Sequence, residues 1–161
     1  MEPRTIVKRQ RPEAEIQRAI TLMLENRGWM VKVTHGSAYQ SGFPDLYATH
    51  HRFGPRWVEV KNIEAYSITP AQAEDFPKLT DNGTKIWILC KATDDEYLKL
   101  FDPPNWQDYI RIRDVKKYDN LRRYRKPEIL LPSIHGDAKI KTLLPEVKRD
   151  YESRCRDSLR E

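Results

Sequence analysis

Between Arg11 and Arg27 the apolar residues Ile16, Ile20, Met23 and Leu24 recur at helical spacing, leaving a charged opposite side. Pro12 stands at the first turn and Gly28 just past the stripe, which are the residues that open and close a helix. The period then falls to two. Trp29 to Thr34 reads as a strand, and Asp45 opens a second run through Leu46, Tyr47 and Ala48 to His50. Arg56 to Asn62 is β-branched and aromatic, and the turn-prone His50 to Pro55 before it predicts a hairpin. Thr69-Pro70 is an N-cap followed by a first-turn proline, predicting a helix to about Asp81 that ends at Asn82-Gly83. Lys85 to Cys90 is almost continuously apolar, as expected of a strand buried on both faces. The predicted order is αβββαβ.

Strand alternation gives the polar positions a chemical meaning. In Trp57-Val58-Glu59-Val60-Lys61 the side chains of Glu59 and Lys61 point one way, and Val58 and Val60 point into a core. Antiparallel pairing with the preceding strand brings Asp45, which follows Pro44, toward Glu59 and Lys61. Two carboxylates and the Val60 carbonyl suit a hard cation such as Mg²⁺, with Mn²⁺ as a substitute, and Lys61 is placed to orient the attacking water. The same trio also fits a solvated, salt-bridged surface. Glu13 lies at the edge of the first helix's apolar stripe, either reaching the site or favouring the positive helix end, whereas Glu15 projects away from it. Gln72 falls in the first turn of the second predicted helix, where its amide either meets a phosphate or metal-bound water or is a surface helix former.

These motifs, taken in order, resemble a known family. Glu13-Ala14-Glu15-Ile16-Gln17, Gly42-Phe43-Pro44-Asp45-Leu46, Val58-Glu59-Val60-Lys61 and Thr69-Pro70-Ala71-Gln72 are similar to the VRR-NUC nucleases of the PD-(D/E)xK superfamily. The resemblance covers residues 12–91. It implies a restriction-endonuclease-like α/β core with a mixed sheet, Asp45 and Glu59 as metal ligands and Lys61 as the catalytic lysine. It further implies Glu13 as the acid of the first helix, with Glu15 as its substitute, and Gln72 as the glutamine of the second. The implied activity is Mg²⁺-dependent hydrolysis of DNA, at branched, flapped or junction structures. RNA as substrate stays open.

Composition adds limits and a second surface. The 161 residues are expected to form an N-terminal arm (1–11), the core (12–91) and a helical or irregular extension (92–161) that packs, dimerises or holds DNA. No apolar run approaches a membrane span, so a cytoplasmic or nucleoid-associated protein is expected, with a viral source left open. Cys90 and Cys155 have neither metal-ligand spacing nor the look of a disulfide framework. A net charge of +5 agrees with a polyanionic partner. Basic residues concentrate between Arg111 and Lys126, where Arg122, Arg123, Arg125 and Lys126 are candidates for phosphate and Tyr118 and Tyr124 for base stacking. That stretch equally supports a non-catalytic nucleic-acid-binding module. In the loop before Asp45, Ser37, Tyr39 and Ser41 are candidate phosphate donors and His35 a candidate substrate contact. A homodimer that aligns two sites is the remaining partner considered.

Overall fold

In the computed structural model, which describes residues 12–34 and 41–126, the elements run α1 (Pro12–Glu25), β1 (Met30–Val33), β2 (Leu46–His50), β3 (Gly54–Val60), α2 (Pro70–Asp81) and β4 (Ile86–Leu89). This is the predicted αβββαβ order. The four strands form one sheet in the order β1-β2-β3-β4, antiparallel except for the parallel β3–β4 pair. The crossover through α2 makes the sheet mixed, since parallel neighbours need a long connection and hairpin neighbours do not. A short helix α3 (Asp94–Leu98), a second one α4 (Ile112–Lys117) and three single-turn segments follow.

Local chemistry accounts for the boundaries. α1 closes with a Schellman motif in which Trp29 N–H donates to the Leu24 carbonyl at 3.1 Å and Gly28 N–H to the Glu25 carbonyl at 3.0 Å. Gly28 takes φ +84° there, a conformation glycine adopts without penalty. The hairpin turn is shorter than His50 to Pro55, because Gly54 at φ +72° turns the chain early and Pro55 already pairs opposite Thr49. β3 stops at Val60 rather than Asn62, where the Val60 N–H leaves the ladder for the Asp45 carboxylate.

Both faces of the sheet are covered. Val58, Val60, Leu46 and Ala48 are buried on the side of α1, whose Ile20, Met23 and Leu24 are also buried. On the other side Ile86, Ile88 and Cys90 of the β4 segment pack with Ile68, Ala73 and Phe76 around α2. Packing continues past Lys91 without a break: Trp106, Ile110, Leu121 and Tyr124 belong to that same cluster. β4 is an edge strand, and its open edge is closed by side chains. The Asn105 amide brackets Ile88, accepting from its N–H at 2.6 Å and donating to its carbonyl at 3.2 Å, and Glu96 accepts from Cys90 N–H at 2.7 Å. Such capping blocks the strand addition that an open edge invites.

α2 carries a proline in its interior, Pro77, which has no N–H to offer the Ala73 carbonyl one turn back. The Asn120 side-chain amide donates to that carbonyl at 2.7 Å instead. The segment Asp119–Leu121 therefore completes the hydrogen bonding of α2. No helix among the described residues is long and apolar enough to cross a membrane. The chain divides after Lys126, and the unit Pro127–Glu161 lies outside the described residues, as does the arm 1–11.

Asn120→Ala is expected to lower the free energy of unfolding by about 1 kcal/mol, since it strands a carbonyl that the helix cannot serve. In a Pro77→Ala background the returned N–H takes over that carbonyl. Urea titration of the double-mutant cycle should therefore show a smaller loss for Asn120→Ala there.

Candidate active site

Asp45, Glu59, Lys61 and Gln72 come together where the C-terminal end of β3 meets the first turn of α2. Leu46 pairs with Val58, so continuing the antiparallel register by one residue sets Asp45 across from Glu59. Asp45 Oδ2 accepts from the Val60 N–H at 2.8 Å, which ties that carboxylate to the strand bearing the other. Val60 thus enters the site through its backbone.

Glu59 is 2% exposed, and its Oε1 accepts from Lys61 Nζ at 2.8 Å and from Gln72 Nε2 at 2.5 Å. Lys61 Nζ also donates to Gln72 Oε1 at 2.9 Å, and the Thr69 N–H donates to the same oxygen at 3.2 Å. With two donors on Oε1 and an acceptor beside Nε2, the Gln72 amide has one consistent orientation. The Thr69 side chain accepts from Gln72 N–H, so the capping box that starts α2 also aims the glutamine inward. Glu59 and Lys61 share a face as expected, but that face is buried rather than solvated: Lys61 is 4% and Gln72 8% exposed. The covering helix is the reason.

The second carboxylate oxygen, Glu59 Oε2, is buried without a hydrogen-bond partner. Burial pushes the Glu59 carboxyl up to about 7, against the favourable charge of Lys61, and the nearby Asp45 charge adds to the rise. An orphaned acceptor of this kind calls for a ligand or a water. No group of three His, Cys, Asp or Glu side chains with metal-holding geometry occurs among the described residues. The oxygen donors of Asp45 and Glu59 are of the kind a hard cation takes, rather than the nitrogen and sulfur ligands that zinc takes.

The loop leading to Asp45 is clamped at both ends. Thr34 N–H donates to the Asp45 carbonyl at 2.9 Å, and the Thr34 hydroxyl donates to the Pro44 carbonyl. Gly42 has φ +91°, and a Cβ there would collide with the Asp75 carboxylate and lie 2.9 Å from the Ala71 carbonyl. Only glycine lets this backbone lie so close to α2. The position stood beside Pro44-Asp45 in the sequence, but its packing partner is some 30 residues away and left no local sign.

The remaining candidates are dispersed. Glu13 is exposed, and its Oε1 lies 3.5 Å from the Asn62 N–H, at the border of the site, while Glu15 is exposed on the same helix. Ser37, Tyr39 and His35 lie outside the described residues. Arg122 pairs with Asp119 at 3.1 Å, Arg123 with Asp81 at 2.7 Å and Lys126 with Asp108 at 2.8 Å; Arg125 is partly buried. Tyr124 does not offer a face for stacking: it is 8% exposed in the core cluster, with its hydroxyl on Asp81. An aromatic ring among cations is ambiguous in sequence, and here burial of its area decided the outcome. Sequence reading passed over Tyr66, which is 6% exposed, sits in the segment joining Lys61 to Thr69 and accepts from Arg111 Nε at 2.7 Å.

The structure is similar to that of a solved VRR_NUC domain, with a TM-score of 0.45 and 22% sequence identity, over 54% of this chain and 92% of that one. No family model matches the sequence, and no curated protein does.

Stability of the metal-free protein should depend on Glu59. Its carboxyl titrates near 4.5 when unperturbed and near 7 in the fold, so between these values the folded chain holds a proton the unfolded chain has released. Stability from this group is therefore greatest below about 4.5 and declines as pH rises through about 7. Melting temperatures in EDTA from pH 4.5 to 8 should show that decline in the wild type and a flatter profile in Glu59→Gln.

Proposed function

We propose that the chain is a divalent-metal-dependent endonuclease that hydrolyses DNA phosphodiester bonds. The observation that carries this reading is the buried Glu59 carboxylate, with one oxygen held by Lys61 and Gln72, the other without a partner, and the charge of Asp45 nearby. Asp45, Glu59 and the Val60 carbonyl would hold Mg²⁺ or Mn²⁺. Such a cation, when bound, neutralises charge developing on the scissile phosphate and lowers the pKa of the attacking water.

The protein's own groups do the positioning. Lys61 has three N–H donors, of which two are engaged by Glu59 and Gln72, leaving the third for water or a phosphate oxygen. Gln72 accepts from that ammonium while donating to the same Glu59 oxygen, so Lys61 keeps one orientation without a flexible search. Asp45, fixed by the Val60 N–H, keeps its carboxylate at the strand end as substrate arrives. Preference for branched, flapped or junction DNA rests on the sequence resemblance alone, and serves replication, recombination or repair. Of the two stacking candidates of the binding-module alternative, Tyr124 is lost to the core and Tyr118 is partly buried against the same cluster.

Labelled duplex, flap, four-way-junction and RNA substrates, each with Mg²⁺, Mn²⁺ or EDTA, test the proposal. DNA cleavage is expected only with a cation, and Asp45→Ala or Lys61→Ala should lower its rate at least about a hundredfold. Cleavage that survives EDTA, or that both variants retain, overturns the mechanism; cleavage of RNA alone overturns the substrate.

A further inference from the structure

We infer that the strand flanking the scissile phosphate is held by the exposed cationic face of α4, Arg113, Lys116 and Lys117, and not by the cations at 122–126. The inference rests on the nuclease reading for its partner and goes beyond it in assigning the DNA path.

Arg113, Lys116 and Lys117 are all exposed, and their spacing of three and four residues puts them on one side of the helix. Like charges at that spacing repel, a cost that a polyanion lying across them would remove. The acid of this helix, Asp114, does not relieve the repulsion: it is 5% exposed and turned to the Arg111 backbone N–H at 2.8 Å. None of the three cations has an acidic partner among the described residues. Arg122, Arg123 and Lys126, by contrast, each have a carboxylate within 3.1 Å that a phosphate would have to displace.

The face is tied to the site through Tyr66. Arg113 Nη2 donates to the Tyr66 carbonyl at 2.7 Å, and the Arg111 guanidinium stacks 3.7 Å from the Tyr66 ring centroid. The Tyr66 hydroxyl in turn donates to the Tyr109 carbonyl at 3.1 Å, just before α4. Tyr66 lies five residues after Lys61, so backbone reach alone limits its separation from Lys61 to less than about 18 Å, a few nucleotides of strand. Glu64 is the acid in that intervening segment, and exposed Ile63 and Ile112 offer apolar surface beside the two ends of the connection. Three cations on one side of α4, with Arg113 anchored to the segment that leaves Lys61, fit a phosphate backbone running away from the cut.

Fluorescence anisotropy of the full chain with labelled single-stranded and branched DNA, in EDTA so that nothing is cleaved, reads this surface as a salt dependence. Neutralising three phosphate contacts should lower the slope of log affinity against log salt by about two, given roughly 0.7 to 0.9 per contact. The variant Arg113→Gln/Lys116→Gln/Lys117→Gln is expected to show that drop, while Arg122→Gln/Arg123→Gln/Lys126→Gln leaves the slope nearly unchanged. Unaltered melting of both variants excludes a folding defect. An unchanged slope in the first variant, a larger drop in the second, or no DNA binding by the wild type overturns the inference. Divalent-dependent cleavage by the wild type is scored separately. Cleavage with an unchanged slope removes this surface and keeps the nuclease, whereas a reduced slope without cleavage removes the nuclease and keeps the surface.

Discussion

Everything around the site follows from putting the Glu59 carboxylate under a helix. Withdrawing an ion from water costs several kcal/mol in a protein interior unless charge and hydrogen bonds replace the lost hydration. Here Lys61 and Gln72 supply that replacement on one oxygen and leave the other bare. The result is a carboxylate held in place yet incompletely satisfied. Strand periodicity makes the Lys61 contact nearly automatic, since residues two apart share a face. Gln72 has no such guarantee, and its place depends on where α2 begins.

That start is secured several times over. Thr69 and Gln72 cap each other, Pro70 fixes the first turn, and Gly42 lets the loop before Asp45 press against the second. Farther along, Asn120 serves the carbonyl that Pro77 leaves open, and Trp106 packs edge-on against Phe76 with ring centroids 5.6 Å apart. Residues after Lys91 thus hold α2 from behind, while Asn105 and Glu96 seal the edge of β4. A segment that contributes no atom to the carboxylate cluster still sets the position of the helix that covers it.

Charge is partitioned in the same way. In the basic stretch between Arg111 and Lys126, Arg122, Arg123 and Lys126 are neutralised by Asp119, Asp81 and Asp108, whereas Arg113, Lys116 and Lys117 on α4 have no carboxylate partner among the described residues. Exposed ion pairs contribute little to stability, about 0–1 kcal/mol each, so their chief effect is on which cations remain available to a polyanion.

The amino-acid sequence by itself determined the order of elements, the ends of α1 and α2 and the pairing of Asp45 with the Glu59 strand. These depend on periodicity, caps and turn residues that act within a few positions of one another. Only the tertiary structure decided that the Glu59–Lys61 face is buried, that Gln72 turns inward, that Tyr124 is core and that Tyr66 joins α4 to the segment following Lys61. Each of those outcomes turns on contacts between residues from 11 to 47 positions apart, as between Gln72 and Lys61 or Arg113 and Tyr66. Burial, and with it the charge state of a carboxylate or the fate of a tyrosine, belongs to what packs over a residue rather than to its neighbours in the chain.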